Sequence, residues 1–209
     1  MSQKKKSKHL TAGQKTGILL GVCILVCIIV LLILAPWKGK GTKEMIYADI
    51  TVKDYGTVTV ELDSSAAPIT VANFVKLSES GFYDGLTFHR IMEGFMAQGG
   101  DPEGTGYGGS DETIKGEFAV NGVKNPLSHT RGTISMARSS MSYDSASSQF
   151  FIVHQDATFL DGQYAAFGHV TEGMDVIDKI CTDARPIDNN GTIPAEAQPV
   201  IESIRIRKP

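Results

Sequence analysis

Cysteine is scarce in this sequence: three in 209 residues, Cys23, Cys27 and Cys181. Two of them sit inside an apolar N-terminal run, which leaves Cys181 alone in the remainder and excludes both a disulfide framework and a Cys-based zinc site there. Histidine is nearly as sparse. His9, His89, His129, His154 and His169 show no HxxH or HExxH spacing, so neither a metal nor another cofactor is expected. The G-x-S-x-G signature of a serine hydrolase is missing, and Tyr143, Ser147 and Ser148 form no recognisable Ser-His-Asp set. Gly104–Gly109 does contain G-x-G-x-x-G, but a Gly-Asp-Pro loop precedes it and no helical pattern follows. It reads as a surface loop rather than a dinucleotide site. No internal repeat is present.

Basic clusters are also missing from most of the chain. The whole sequence has 20 Lys+Arg and 23 Asp+Glu, yet residues 1–44 hold eight of the lysines and one acid, Glu44, for a net charge of +7. Removing those nine leaves 12 basic and 22 acidic residues in 45–209, net −10. Neutralising phosphates requires clustered Lys and Arg, so nucleic acid is not expected as a partner.

The N-terminal positive charge has another explanation. Residues 1–16 form a polar tail with Lys4, Lys5, Lys6, Lys8 and Lys15. Residues 17–35, GILLGVCILVCIIVLLILA, are 19 residues without a charge, followed by Pro36, Trp37 and Lys38. At about 1.5 Å per residue that run spans a hydrocarbon core of about 30 Å. The apolar stretch exceeds the roughly 7–15 residues of a cleaved signal peptide, and Pro36 follows Ala35 where a cut would fall. A lipid on Cys23 or Cys27 fits poorly, because valine precedes each and both lie deep in the run. The expectation is a basic cytoplasmic tail (1–16), a transmembrane signal anchor (17–35), a linker (36–44) and a globular domain (45–209) on the extracytoplasmic side of the cell membrane.

Within that domain, Ile46, Ala48, Ile50 and Val52, then Asp54-Tyr55-Gly56, then Val58, Val60 and Leu62 alternate as a β-hairpin does. Pro68 opens a helix that runs to Ser80 and stops at Gly81, with Val71, Phe74 and Val75 on its buried side. Beyond it the apolar runs are short and punctuated by glycine, as in an antiparallel barrel. Glu172–Ile180 is helical in pattern, Thr182–Pro199 is a loop, and Val200–Arg207 is a last strand. The pattern therefore predicts a mostly β fold with two helices.

Chemistry concentrates in Phe88-His89-Arg90-Ile91-Met92-Glu93-Gly94-Phe95-Met96-Ala97-Gln98-Gly99-Gly100-Asp101. One permanent cation, Arg90, precedes two large apolar side chains, Phe95 and Met96, and a neutral amide, Gln98. Strand alternation over Thr87–Ile91 puts Phe88 and Arg90 on one face, His89 and Ile91 on the other. No nucleophile is present, so the stretch suits gripping an apolar ligand and polarising a carbonyl.

This run closely resembles the core motif of the cyclophilins, peptidyl-prolyl isomerases that are targets of cyclosporin. Gly132-Thr133-Ile134-Ser135-Met136-Ala137-Arg138 extends the match, as do Ser148-Gln149-Phe150-Phe151-Ile152, Phe159-Leu160-Asp161-Gly162 and Phe167-Gly168. The resemblance spans roughly Met45 to Arg207. It implies an eight-stranded antiparallel closed β-barrel capped by two helices, and a bacterial-like isomerase acting on Xaa-Pro bonds of unfolded or flexible polypeptides; with the expected anchor at 17–35 it would be membrane-bound. By the same resemblance Arg90, Gln98 and Phe95 are catalytic. Met96, Phe151 and Leu160 line the proline pocket, Phe159 and Tyr164 form its rim, and backbone groups near Ala137 and Arg138, with the Gln149 amide, hold the peptide.

Three positions depart from many cyclophilins. Arg138 stands where Asn is common, although bacterial-like members also carry Arg; Phe159 replaces a Trp; Tyr164 replaces a His. Cyclosporin binding, implied by the resemblance, is expected to be weakened because Phe159 has no hydrogen-bond donor. His89 and His154 are expected to be structural. A non-catalytic chaperone or proline-peptide-binding module using the same groove is the competing expectation. Asn190-Gly191-Thr192 also fits a glycosylation acceptor, a short pattern that recurs by chance.

Overall fold

The computed structural model describes residues 45–208; the tail, anchor and linker expectations fall on residues 1–44, which with Pro209 lie outside the described residues. The alternating run at its start folds as predicted. β1 (Ile46–Val52) and β2 (Gly56–Leu62) pair in register, Ile46 opposite Leu62 and Val52 opposite Gly56. Their connection needs left-handed backbone, supplied by Asp54 (φ 65°) and Gly56 (φ 125°). Ala48, Ile50 and Val52 on one strand and Val58, Val60 and Leu62 on the other turn inward and are buried.

Helix α1 (Pro68–Glu79) begins at its proline, and Ser80 caps it immediately before Gly81 at φ 73°. Ala67, at its N-terminus, has no side chain with which to cap. The buried Glu117 supplies the missing acceptor: its carboxylate takes the N–H groups of Ile69 (3.1 Å) and Thr70 (2.8 Å). Helix α2 (Met174–Asp183) starts two residues later and runs three further than the pattern suggested. Gly173 sets that start at φ 80°, where a Cβ would meet the Thr57 carbonyl at 2.2 Å.

The other strands are β3 (Thr87–Met92), β4 (Met96–Asp101), β5 (Thr133–Met136), β6 (Phe150–Val153), β7 (Ala166–Glu172) and β8 (Ile201–Arg207). All eight join one antiparallel sheet in the order β3-β4-β6-β5-β7-β2-β1-β8, curled by bulges at Thr51/Val52, Thr59/Val60 and Ile134/Ser135. The sheet does not close, which corrects the expected closed barrel. Its edge strands β3 and β8 share no ladder and meet through one isolated bridge, Thr87 to Val200, flanked by Phe88 N–H to Pro199 O (2.9 Å) and Ile201 N–H to Leu86 O (2.7 Å). The rest of the β3 edge is occupied instead by the 191–193 segment: Ile91 N–H donates to Gly191 O (2.8 Å) and Ile193 N–H to His89 O (2.9 Å). The architecture is an eight-stranded half-barrel with two helices. Among the described residues no helix is long and apolar enough to cross a membrane.

The core inside the curl is aromatic. Phe74 of α1 lies 5.3 Å from Tyr83, 5.5 Å from Phe150 and 5.2 Å from Phe167, between ring centroids. β6 divides its side chains between two regions. Phe150 and Ile152 enter this core, whereas Phe151 and Val153 point outward into a second apolar cluster with Met96, Ala157 and Leu160.

Candidate active site

Strict alternation along β3 is broken, and that break aims Arg90. Phe88 pairs with Gly99 and Arg90 with the adjacent Gln98, so His89 is the extra residue of a bulge. Phe88 and Ile91 consequently both enter the main core, while Arg90 faces the second cluster. The expected sharing of one face by Phe88 and Arg90 is thereby corrected. Glycine is required opposite the bulge, since a Cβ at Gly99 would meet the Thr87 carbonyl at 2.7 Å.

Around Arg90 the second cluster forms an apolar saucer. Its floor is Met96, Phe151, Val153, Ala157 and Leu160, and Met92, Phe95, Ala137 and Tyr164 pack around it half-buried. Phe159 stands at the mouth, 65% exposed, with its ring 5.7 Å from Phe95. Tyr164 meets Phe151 edge-on at 6.0 Å. The Arg90 guanidinium lies 5.9 Å from the Phe95 ring centroid.

Every donor of Arg90 has a defined direction. Nε donates to the Asn190 carbonyl (2.7 Å), Nη1 to Gln98 Oε1 (3.1 Å), and Nη2 approaches Met92 Sδ (3.3 Å). The amide of Gln98 passes the polarity on, donating to Gln149 Oε1 (2.9 Å). Gln149 in turn donates to the carbonyls of Gly106 (3.1 Å) and Gly108 (2.7 Å). An arginine can only donate, so it fixes which way both amides face. Among the described residues only thioether sulfur, a weak acceptor, meets the Nη2 hydrogens, so they remain available to a carbonyl or amide nitrogen in the saucer. Burial pulls the Arg90 pKa down and the nearby Tyr164 and Asp188 pull it up; an arginine so placed stays charged.

The glycine-rich loop that receives Gln149 is shaped by Asp101. Its buried carboxylate accepts the N–H groups of Glu103 (2.8 Å), Thr105 (3.0 Å) and Gly106 (2.5 Å). With Ala137, Arg138 and Ser147 the loop borders a polar depression of about 570 Å³ beside the saucer. Arg138 lines that depression, and its side chain packs on aromatic rings. Its guanidinium is 4.6 Å from Tyr164, 5.1 Å from Tyr143 and 5.5 Å from Phe118, and donates to the carbonyls of Gln163 and Ser139. It braces the wall between saucer and depression.

Three features were not anticipated. Ser135 Oγ, His129 Nε2 (2.9 Å), His129 Nδ1 and Asp161 Oδ1 (2.8 Å) form a Ser-His-Asp chain. Ser135 and His129 are wholly buried, so no substrate reaches that hydroxyl. The chain instead braces Phe151, whose ring stacks on His129 at 6.0 Å. Met92 and the Asn190 carbonyl at Arg90 are the other two, the carbonyl arriving from 100 residues away. His154 is structural, as expected: Gly94 N–H donates to its Nδ1 (2.9 Å), fixing the turn ahead of Phe95, and its Nε2 faces Asp178 (3.2 Å).

Two of the site's histidines make stability depend on pH. Burial lowers the pKa of His89, with Asp101 and Gln149 opposing and Arg90 adding to it, and burial lowers that of His129 against the pull of Asp161. Both fall below the ordinary 6.5. The unfolded chain then binds more protons below that value, so this contribution is full above 6.5 and is lost as pH falls through it toward the native pKa values. The thermal midpoint is expected to fall between about pH 7 and pH 5; a midpoint that stays level or rises would contradict it.

The half-barrel thus carries an apolar cluster with one oriented guanidinium at its edge. The model for "Cyclophilin type peptidyl-prolyl cis-trans isomerase/CLD" matches residues 47–208. Peptidyl-prolyl cis-trans isomerase B of Bacillus subtilis is 49% identical over 124 residues, 59% of this chain and 82% of that protein. A Helicobacter pylori peptidyl-prolyl cis-trans isomerase is 48% identical over 127 residues, 60% of this chain and 75% of that protein. A Cryptosporidium parvum cyclophilin type peptidyl-prolyl cis-trans isomerase, crystallised in the presence of the dipeptide Ala-Pro, superposes with TM-score 0.68 and 31% identity over 77% of this chain and 98% of that one. The chain belongs to the cyclophilin-type peptidyl-prolyl cis-trans isomerase family.

Proposed function

We propose that this protein is a peptidyl-prolyl cis-trans isomerase, and that Arg90, Gln98 and Phe95 carry the catalysis. The single observation behind the assignment of roles is the orientation of Arg90: Nε is tied back to Asn190 while Nη1 and Nη2 face the saucer. Met96, Phe151 and Leu160 clamp the pyrrolidine ring, and Phe159 and Tyr164 border it. As the preceding residue turns, the prolyl nitrogen becomes more pyramidal and a better acceptor. A guanidinium hydrogen then stabilises the twisted amide more than the planar one, which is what lowers a barrier. No bond breaks, so no acid, base or cofactor is required. Gln98 orients Arg90 or holds the rotating carbonyl, and Ala137 and Gln149 hold the extended peptide.

The test is cis-to-trans isomerisation of a short Xaa-Pro peptide by the full chain. Acceleration supports the enzyme; a folded chain that binds the peptide without accelerating it is a chaperone or binding module.

The substrates are unfolded or flexible proline-containing proteins outside the cytoplasm, and residues 17–35 anchor the chain in the cell membrane as a single pass. The uncharged run and the lysines on its N-terminal side support that reading. Protease added to intact cells should remove the domain; protection of the domain would reverse the orientation. Cyclosporin binds weakly, because Phe159 offers no N–H at the mouth of the saucer. Phe159→Trp should tighten cyclosporin inhibition by about tenfold, the worth of one added hydrogen bond, and an unchanged inhibition curve would refute this.

A further inference from the structure

The part of Arg90 turned away from the saucer is held as closely as the part turned toward it. Its Nε–H donates to the Asn190 carbonyl at 2.7 Å, in a turn that reaches β3 from 100 residues away. The turn is fastened to the strand on both sides of that contact, by Ile91 N–H to Gly191 O, Ile193 N–H to His89 O and the Arg90–Thr192 bridge. Asp188 gives the turn its shape: its carboxylate accepts the N–H of Asn190 (3.0 Å), the N–H of Thr192 (3.0 Å) and the Thr192 hydroxyl (2.8 Å). Those donors hold the Asp188 carboxyl below its ordinary range, with the Thr192 N–H first among them, so it remains an acceptor at neutral pH. Gly191 lies at φ 86°, and a Cβ there would meet Met92 Cγ at 2.5 Å and the Ile91 carbonyl at 2.7 Å. Both the conformation and the space exclude a side chain.

We propose that Asp188 and Gly191 are positioning residues for the isomerisation, shaping the 188–192 turn so that the Asn190 carbonyl fixes Nε of Arg90 and aims Nη1 and Nη2 at the prolyl amide. The inference rests on the isomerase reading above. A free arginine side chain samples many rotamers, and one tethered before substrate arrives loses less freedom on forming the transition-state contact. The turn meets the site through Arg90 and, at its edge, Met92, so its effect is on rate more than on affinity.

The experiment uses the full chain. It measures kcat on an Ala-Pro peptide, peptide Kd and thermal midpoint for wild type, Asp188→Ala, Asp188→Asn and Gly191→Ala. Asp188→Ala is also made on top of Arg90→Lys, which keeps a charge but has no Nε–H. Asp188→Ala is expected to lower kcat about tenfold with Kd changed less than about twofold. Asp188→Asn should recover most of that, because an amide oxygen still accepts both N–H groups, and Gly191→Ala should lose more than Asp188→Ala. In the Arg90→Lys background Asp188→Ala should add no further loss, the non-additivity expected of residues acting through one contact. The proposal fails if Asp188→Ala retains wild-type kcat, if its loss is the same in both backgrounds, or if the loss follows only the unfolded fraction. A folded wild type without acceleration overturns the isomerase reading and this inference with it.

Discussion

Arg90→Ala is expected to lower kcat/KM for Xaa-Pro isomerisation by about 10²–10³-fold, with peptide affinity nearly retained. The uncatalysed rotation crosses a barrier of about 18–20 kcal/mol and takes tens to hundreds of seconds. Bringing it to milliseconds requires about 10⁴–10⁵-fold, or roughly 6–7 kcal/mol. One preorganised donor lost from such a site costs about 3–4 kcal/mol, so Arg90 accounts for about half. Removing it leaves the apolar floor intact, and the floor is what grips the ring. The vacated acceptors, Gln98 Oε1 and the Asn190 carbonyl, lie in a half-buried position that water reaches, so the thermal midpoint should move little. Arg90→Lys should recover only part of the rate, since one ammonium cannot serve Asn190, Gln98 and the prolyl amide together. Equal rates for wild type and Arg90→Ala would remove the guanidinium from the mechanism.

Two adjacent phenylalanines should behave in opposite ways. Phe150→Ala deletes a fully buried ring that touches Phe74, Tyr83 and Phe88, leaving a void in a packed core. A loss of about 3–5 kcal/mol follows, enough to bring a domain of ordinary stability to the margin of unfolding. Phe151→Ala removes a ring from the second cluster, which is smaller than the main core and has exposed Phe159 beside it. With fewer packed neighbours its stability cost should be smaller, about 2–3 kcal/mol, whereas proline-peptide affinity should fall at least about tenfold through lost apolar contact. Denaturant midpoints together with peptide titrations separate the cases. Equal destabilisation by both substitutions would mean that the second cluster belongs to the main core.

Local pattern was enough for the hairpin and both helices, because turn glycines, Pro68 and apolar spacing act within a few residues of themselves. The members of the saucer came from resemblance; the fold packs Phe95 and Tyr164 against Met96, Phe151 and Leu160, sets Phe159 beside Phe95 and bonds Arg90 to Gln98. What the pattern could not carry was long-range competition for the same backbone groups. β3 alternates on paper, but pairing with Gly99 and Gln98 forces the bulge at His89 that turns Arg90 outward. Closure of the barrel failed for the same kind of reason, since the 191–193 segment takes β3 N–H and C=O groups that β8 would otherwise bond. The packing of Arg138 on Phe118, Tyr143 and Tyr164 was not legible either, because those three rings are dispersed along the chain. Ser135, His129 and Asp161 likewise formed no recognisable order until the sheet brought them together.

The division of apolar residues into two clusters back to back across one sheet has a consequence for how such a chain varies over generations. Neighbouring codons in β6 should then answer to different demands, Phe150 and Ile152 to the main core and Phe151 to the cluster beside Arg90. Exchanges at the mouth, such as those at positions 159 and 164, can then accumulate without compensating changes beneath the sheet. Ligand preference is free to drift while the scaffold stays fixed.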